Sequence, residues 1–247
     1  MAPAAKVALV TGGARRLGAR ICLALAKAGY SLAIHHHSSQ REAGELEMAI
    51  CQAHGSTSAL AFGADLADPD AREALVDAVA QRFGRLDLLV NNASIFSKTP
   101  LETLVMEDFG RLHNIHVEAP AHLALLCRKL LAAGAPGGII NILDIFADFP
   151  RKGFLPYCAS KAGLKAVTRQ LALELAPDVL VNGVAPGAIL EPEAGLDADT
   201  RSRIEARIPL GRFGQADDVA GAVLFLAQAR YITGQVIVVD GGRSINI

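Results

Sequence analysis

The sequence predicts a doubly wound α/β sandwich, in which helices cover both faces of one parallel sheet. Seven short apolar runs alternate with stretches of helical periodicity along the 247 residues. The runs are nearly continuous Val, Ile and Leu rather than alternating polar and apolar residues, which is typical of strands buried on both faces. Parallel strands need crossover connections, which the intervening helices supply. Neither a Pro/Gly-rich linker nor a change in composition divides the chain, so we expect a single domain over residues 1–247.

The elements follow from these two patterns in chain order. The predicted strands are 6–12, 30–36, 58–65, 86–93, 138–143, 179–185 and 234–242. The predicted helices include 17–28, 40–54, 69–83, 104–133 and 157–176.

Composition excludes several classes of protein. A net charge of -1 argues against a nucleic-acid binder. No apolar stretch reaches the roughly 18 residues that a membrane span needs, so no membrane partner is expected. The N-terminus runs directly into a strand pattern without a signal peptide, which predicts a cytoplasmic protein. The cysteines lack CxxC spacing and are interpreted as free thiols: Cys22, Cys51, Cys127 and Cys158.

A glycine-containing turn, TGGARRLGAR at residues 11–20, follows the first predicted strand. Gly12 and Gly18 permit a tight turn and a close backbone approach, and a helix is expected from Leu17 onward. The free N–H groups of a helix N-terminus bind a pyrophosphate. A plain strand-to-helix turn is the alternative, but the position after the first strand of a βαβ pattern favours a dinucleotide site.

The end of the second predicted strand, IHHHSS at residues 34–39, carries no acid. An Asp or Glu there would hold the ribose hydroxyls of NAD. Arg15 in the first turn, together with His37, Ser38 and Ser39, can instead surround a 2′-phosphate, which favours NADP(H). Consecutive histidines on a strand point to opposite faces, so we expect no metal site in this stretch.

Tyr157 and Lys161 lie four residues apart and share one face of a predicted helix. Asp144 precedes Tyr157 by thirteen residues and follows a predicted strand, where open α/β sheets place their ligands. A neighbouring ammonium lowers the pKa of a phenol, whereas a carboxylate raises it. The alternatives are an incidental pair on a surface helix and a turn-capping aspartate.

Together these motifs resemble the short-chain dehydrogenase/reductase family over essentially the whole chain. The motifs are T-G-x-x-x-x-x-G at residues 11–18, NNA at 91–93, Tyr157-x-x-x-Lys161 and PG at 186–187. The resemblance implies a Rossmann-type sheet of seven parallel strands in the order 3-2-1-4-5-6-7. It also implies a nicotinamide cofactor and a homotetramer assembled through the long helices at 104–133 and 157–176.

Several details are similar to the pteridine reductase branch of that family, which includes the dihydromonapterin reductases. Arg16 stands where other members have a glycine, the second strand has a His-rich end, and Phe96 follows the NNAS turn. Asp144 stands where most of the family has a catalytic serine. By resemblance, a pterin would stack between Phe96 and the nicotinamide, in contact with Arg16, Ser94, Asp144 and Tyr157.

The resemblance also implies roles for individual residues. Asp144, Tyr157 and Lys161 would be catalytic. The implied cofactor-binding residues are Gly12, Arg15, Arg16, Leu17, Gly18, His36, His37, Ser38, Ser39, Asp65, Leu66, Asn92, Ala93, Ser94, Tyr157, Lys161, Pro186, Gly187 and Ile189.

Two positions depart from the family pattern. Ser38 stands where the branch often has an arginine, so Arg41 is a further candidate for the phosphate. His116 stands where the family has a helix asparagine that supports a water relay to the lysine. A histidine can pass a proton through water, or it can simply pack within the helix, and both readings stay open.

The sequence therefore predicts an NADPH-dependent reductase that converts a dihydropterin, such as dihydrobiopterin or dihydromonapterin, to its tetrahydro form, with dihydrofolate as a further candidate substrate. The first alternative is a carbonyl or 3-oxoacyl reductase of the same family. Asp144 argues against it, because a ketone oxygen needs neutral donors. The second alternative is an NADP-sensing protein without turnover, against which the Tyr157 and Lys161 pair argues.

Overall fold

The computed structural model describes residues 5–55, 58–133, 136–191, 193 and 195–246. All strands of the sheet run parallel, in the order β3-β2-β1-β4-β5-β6-β7. The strands are β1 (Lys6–Val10), β2 (Tyr30–His36), β3 (Ala59–Gly63), β4 (Leu88–Asn91), β5 (Gly137–Ile142), β6 (Val179–Pro186) and β7 (Val236–Val239). The predicted doubly wound sheet and its strand order are thus confirmed.

Each predicted helical stretch contains a helix, and two further helices occur near the C-terminus. The helices are α1 (Arg16–Lys27), α2 (Gln40–His54), α3 (Pro69–Phe83), α4 (Met106–His113), α5 (Ala119–Ala133), α6 (Leu155–Glu174), α7 (Ala198–Glu205) and α8 (Ala216–Gln228). Within the described ranges, none of them combines the length and hydrophobicity that crossing a membrane requires.

Two apolar cores lie on opposite faces of the sheet. On one face, α1 packs against α8, and Ile21, Leu25 and Val223 are fully buried there. On the other face, α3 packs against α5, and Leu123 and Leu131 are fully buried. With both faces covered, the functional groups are left to the edge of the sheet at which the parallel strands end.

A buried ladder of polar side chains fixes α6 against the centre of the sheet. Asn91 and Asn141 are paired in the register of β4 and β5, and the Asn91 amide donates to Asn141 Oδ1 at 2.8 Å. The Asn141 amide donates to Thr168 Oγ1 at 2.8 Å, and that hydroxyl donates to the Leu164 carbonyl at 2.7 Å. Buried polar groups of this kind are costly unless paired, so the ladder specifies one position for α6.

The predicted helix at 104–133 is interrupted by a π-turn over Asn114–Glu118, between α4 and α5. Pro120 follows it and has no N–H to donate to the carbonyl of His116 four residues earlier. A wider i→i+5 turn accommodates this defect, and π-turns are frequent at functional sites. The turn contains His116, which is buried.

The turn after β1 is held by the turn after β4. Thr11 Oγ1 accepts the N–H groups of Asn92 and Ala93 at 2.9 and 3.0 Å. The Asn92 amide in return donates to the carbonyls of Thr11 and Gly12 at 2.9 and 3.0 Å. A Cβ atom on Gly18 would overlap the Gly12 carbonyl oxygen and lie 2.8 Å from Asn92 Nδ2. Glycine is therefore required at position 18 for α1 to approach this turn.

We expect Gly18→Ala to lower the free energy of unfolding by about 2–3 kcal/mol, because the added methyl group overlaps backbone that cannot move independently. Gly44→Ala in α2 is the matched control, since a Cβ atom there meets nothing within 4 Å. Removing a glycine from a helix interior should stabilise the protein by about 0.5–1 kcal/mol. Urea unfolding of both variants measures the difference, and equal stabilities would contradict the close approach.

Candidate active site

Asp144, Tyr157 and Lys161 meet at the carboxyl end of β5. Tyr157 Oη donates to Asp144 Oδ2 at 2.9 Å, while Asp144 Oδ1 accepts the N–H of Phe146 at 2.9 Å. Lys161 Nζ donates to the Ile142 carbonyl at 2.9 Å and lies 5.8 Å from the centre of the Tyr157 ring. The expected trio is thus assembled, with the carboxylate rather than the ammonium in direct contact with the phenol.

Burial governs the protonation of all three groups. Burial raises the pKa of Asp144, although the Phe146 N–H and the Tyr157 hydroxyl act in the opposite direction. Burial and then the charge of Asp144 raise the pKa of Tyr157 well above its ordinary value. Burial lowers the pKa of Lys161 to about 8, and Asp144 partly opposes this shift. Near neutral pH, Tyr157 is therefore a phenol and not a phenolate.

His116 is enclosed by protein groups. Its Nε2 accepts the N–H of Ile95 at 3.1 Å, so that nitrogen carries no proton, and Ser94 Oγ donates to the same atom at 2.9 Å. The remaining proton is on Nδ1 and is donated to Ser160 Oγ at 2.8 Å. Ser160 donates in turn to the carbonyl of Tyr157 at 2.7 Å. Because burial first and Lys161 second lower the pKa of His116 to about 2, the ring is neutral and both nitrogens are engaged. This arrangement favours packing and positioning over a proton relay.

Phe96 lies at the mouth of the site and is 54% exposed, so it is not a core residue. One face of its ring stacks on Phe154, with centroids 4.9 Å apart, and Tyr157 meets it edge-on at 4.9 Å. Ser94, which the resemblance assigns to cofactor and substrate, lies on the same loop and is oriented by His116. The exposed part of Phe96 is open to a planar ligand.

Arg16, the first residue of α1, has a backbone φ of 51°. Among the residues that the structure describes, it is the one non-glycine residue with positive φ. Such a conformation costs energy for any side chain other than glycine and is concentrated at functional sites. The Arg16 guanidinium donates to the carbonyl of Glu191 at 2.6 Å, in the loop after β6.

Arg15 forms an ion pair with Glu193 of that same loop. The two side chains are 42% and 61% exposed, so the pair contributes no more than about 1 kcal/mol. Glu191 contacts Arg201 at 2.7 Å. The two glutamates, for which the sequence suggested no role, thus connect the loop after β6 to the turn after β1 and to α7.

At the end of β2, the three histidines serve different purposes. The predicted His36 is buried, and its Nδ1 has no hydrogen-bond partner within the described ranges. The predicted His37 is exposed and lies 4.0 Å from Asp65, whose Oδ1 accepts the N–H of Ala67 at 2.9 Å. No cluster of metal-binding side chains occurs in the part of the chain that the structure describes.

His35 is a functional-site residue that the sequence did not single out. Its Nδ1 accepts the N–H of Gly12 at 3.0 Å, and its Nε2 donates to the carbonyl of Ala64 at 3.1 Å. The ring therefore ties the turn after β1 to the segment after β3. Burial lowers the pKa of His35 to about 4, which keeps it neutral. Its alternation with His36 along the strand was the available signal, since one of the two had to face the turn.

The other predicted cofactor residues lie at the same edge of the sheet but differ in exposure. Leu66 and Ile189 are buried in the two apolar cores, and Leu17 packs against one of them. Gly187 follows Pro186 at the end of β6, and its N–H donates to the Val239 carbonyl at 2.9 Å. Ser38 is exposed, Ser39 immediately precedes α2, and Arg41 pairs with Glu45 at 2.8 Å.

The edge formed by β1, β2 and β4 fits a dinucleotide. The N–H groups at the start of α1 have no carbonyl one turn earlier, which is the arrangement that binds phosphate. The unpartnered Nδ1 of buried His36 is a polar atom suited to a ligand at the end of β2. These features, with a Tyr157 and Lys161 pair beside them, define a nucleotide-dependent oxidoreductase.

Comparison with known proteins identifies the family. A sequence profile described as enoyl-(acyl carrier protein) reductase matches residues 12–244. A solved Serratia marcescens short-chain dehydrogenase/reductase, a double mutant, superposes with a TM-score of 0.89 at 33% identity and covers 97% of this chain and 98% of its own. The chain belongs to the short-chain dehydrogenase/reductase family, whose members use a nicotinamide cofactor to oxidise or reduce small molecules.

Relatives of similar identity have different names. An uncharacterised oxidoreductase of Methylorubrum extorquens is 37% identical and aligns over 96% of this chain and 97% of its own length. The 3-oxoacyl-[acyl-carrier-protein] reductase of Staphylococcus aureus is 35% identical over the same shares. The L-rhamnose 1-dehydrogenase (NAD(P)(+)) of Azotobacter vinelandii is 35% identical over 98% of both chains. These comparisons show the family but do not identify the substrate of this chain.

The buried neutral histidines predict a loss of stability in acid. A histidine whose pKa in the folded protein lies below the ordinary 6.5 makes its full contribution to the free energy of unfolding only above pH 6.5. Its contribution falls as pH decreases from 6.5 toward the folded value, by up to about 1.4 kcal/mol per pH unit. His116→Asn should be less stable than wild type at pH 7 but lose less between pH 7 and pH 5. His113→Asn, on the exposed side of α4, is the control. Equal losses in the two variants by urea unfolding would show that His116 does not cause the acid sensitivity.

Proposed function

We propose that this enzyme is an NADPH-dependent reductase of dihydropterins, such as dihydrobiopterin or dihydromonapterin, and yields the tetrahydro form. The observation that carries the proposal is the hydrogen bond between Tyr157 and the partly buried carboxyl group of Asp144. The proposed catalytic residues are Asp144, Tyr157 and Lys161.

Asp144 discriminates between the two kinds of acceptor. A carbonyl oxygen that receives a hydride develops negative charge, so Asp144 raises the barrier whenever its carboxylate is ionised, which a serine hydroxyl in that place does not do. A ring nitrogen that must gain a proton is instead served by a group that holds one. Burial raises the pKa of Asp144, which increases the fraction of carboxylic acid near neutral pH.

Proton delivery is assigned to the Asp144 and Tyr157 pair. When bound, the nicotinamide supplies the hydride, and this chain's residues position the reactants and provide the proton. Tyr157 stays protonated and faces the mouth of the site beside Phe96, while Asp144 can replenish its proton through their shared hydrogen bond. Since the two groups are in direct contact, they titrate as a pair.

The exposed Phe96 ring supports a planar substrate. An offset or edge-on aromatic contact adds about 0.5–1.5 kcal/mol beyond the area that it buries, so Phe96 is assigned to stacking against the pterin. Arg16 and Ser94 are assigned to its polar edge. The strained backbone of Arg16 supports a functional role for that side chain.

A 3-oxoacyl or other carbonyl reductase is the second candidate. The name of the Staphylococcus aureus relative supports it. The direct Asp144 contact weighs against it, because that carboxyl group occupies the place next to Tyr157 from which a neutral hydroxyl would stabilise a carbonyl oxygen.

The first test is turnover of dihydrobiopterin, dihydromonapterin, dihydrofolate and a 3-oxoacyl thioester with NADPH. The pterin kcat should be highest at low pH and fall as pH rises through the raised pKa of Asp144, because the acid form is then lost. Asp144→Asn should lower kcat by about 10²–10⁴-fold and flatten the profile between pH 5 and 9. Asp144→Ser should shift activity from pterins toward the thioester. Turnover of the thioester alone by the wild type would overturn the proposal.

NADPH should be preferred over NADH by about tenfold or more in kcat/KM. Tenfold corresponds to about 1.4 kcal/mol, which one charge-assisted contact from Arg15 to the 2′-phosphate supplies. Arg15→Ala should reduce the ratio. Glu193→Gln should increase it, because Glu193 competes with the phosphate for Arg15. A wild-type ratio of one would refute the assignment.

We further propose that the chain forms a homotetramer through α4, α5 and α6. Leu123 and Leu164 are buried within the chain and do not contribute, whereas Leu173 and Leu125 are 75% and 48% exposed. Leu173→Lys together with Leu125→Lys should therefore weaken assembly in light scattering. A monomeric wild type at micromolar concentration would contradict this.

A further inference from the structure

Two arginines converge at the mouth of the site, outside the residues assigned so far. The Arg151 guanidinium carbon lies 4.6 Å from the centre of the Phe154 ring, 5.3 Å from that of Phe146 and 6.0 Å from that of Phe96. The Arg243 guanidinium carbon lies 5.8 Å from the same Phe146 ring. Arg151 precedes α6, whereas Arg243 comes from the C-terminal segment, so the fold brings together two distant parts of the chain.

Neither guanidinium is neutralised by a carboxylate. Among the residues that the structure describes, every ion pair involves other side chains. Asp240, the nearest acid in the C-terminal segment, instead accepts the N–H groups of Gly242 and Ser244 at 2.8 and 2.6 Å. The two guanidiniums therefore lie against one shared ring, that of Phe146, and neither is in an ion pair within the described ranges.

Charged groups of both signs surround Arg243. Burial and then the charge of Arg151 lower the pKa of Arg243, and Arg207 acts in the same direction. Asp144 and Asp240 act in the opposite direction. Arg151 is exposed and Arg243 is partly buried, so both side chains are within reach of an anion that enters from solvent.

We propose that Arg151 and Arg243 form a subsite for an anionic group, a carboxylate or a phosphate, on the side chain of a planar substrate that stacks at Phe96. This inference rests on the proposed pterin reduction and specifies the side chain. A heterocycle beside Tyr157 and Phe96 directs its side chain past Phe146 toward the two guanidiniums. Arginine suits this role, because its planar fork binds both kinds of anion with two parallel hydrogen bonds.

A purely structural role would be the packing of two cations on an aromatic cluster. In that case the substitution of either arginine would affect charged and neutral substrates equally. The preference between substrates that differ only in side-chain charge therefore separates the two roles.

The experiment compares kcat/KM for dihydroneopterin and its monophosphate, and for the dimethyl ester of dihydrofolate and dihydrofolate itself. The wild type should prefer the anionic member of one or both pairs by about tenfold, and the pair that shows the preference identifies phosphate or carboxylate. Arg151→Gln and Arg243→Gln should each reduce the preference by about threefold to tenfold, and added salt should reduce it as well. Arg82→Gln is the matched control: its guanidinium carbon also lies over a phenylalanine ring, Phe83 at 5.1 Å, but at the opposite end of α3 from the site.

The outcomes distinguish this inference from the proposed function. If pterins are reduced without a preference that depends on Arg151 and Arg243, the subsite is overturned and the function stands. If no pterin is reduced, the function fails, and binding of N-(4-aminobenzoyl)-L-glutamate to the NADPH complex then tests the subsite alone. Calorimetry should show this binding in the wild type and its loss in the double variant. No binding to the wild type, or equal binding to both proteins, would overturn the subsite.

Discussion

The hydrogen bond between Tyr157 and Asp144 determines what chemistry the site can perform, because it joins a buried phenol to a partly buried carboxyl group, and both groups retain protons more strongly than in water. Removing water penalises every charged form at once, so the states with the fewest charges dominate. Lys161 is subject to the same penalty, which lowers its pKa to about 8 and limits how far it can stabilise a phenolate. The geometry therefore favours proton donation by a neutral group over the stabilisation of a negative charge on an oxygen atom.

Holding a carboxyl group at this place requires support from several elements. The Phe146 N–H fixes one oxygen of Asp144. The polar ladder from β4 to α6 fixes the position of α6, which carries Tyr157, against the sheet. His116 adds a further connection, since its hydrogen bonds join the loop after β4 to Ser160 of α6. The π-turn that contains His116 lies directly before Pro120, which has no N–H to donate to the His116 carbonyl. The geometry of the candidate site thus depends on an irregular turn in a helix that periodicity alone predicts to be regular.

Features set by local sequence were predictable, and features set by distant contacts were not. Apolar runs and turn glycines placed all seven strands, and the spacing of Tyr157 and Lys161 placed both on α6. The pairing of Arg15 with Glu193 joins residues 178 positions apart, and no local pattern encodes it. The roles of His35 and His116 depend on which way each ring faces, although Pro120 within a predicted helix was a signal for the π-turn. The role proposed for Phe96 rests on both the sequence and the structure. The resemblance suggested stacking, and the exposure of the ring makes stacking possible.

Arg16 shows how the turn after β1 and the loop after β6 depend on each other. A glycine at this position would avoid the cost of a positive φ, which is of the order of 1 kcal/mol or more for other residues. The arginine there binds the Glu191 carbonyl, and the neighbouring Arg15 pairs with Glu193, so the loop after β6 rests on the turn that fits the dinucleotide phosphates. Both contacts are exposed and hence weak, and a ligand that binds these arginines can displace them at little cost. Relatives that share the fold are named for acyl and sugar substrates, so selectivity must lie in such replaceable contacts rather than in the sheet. The residues proposed to select the substrate of this chain are Arg16, Phe96 and Asp144, which come from three separate strand ends and meet only at the carboxyl edge of the sheet.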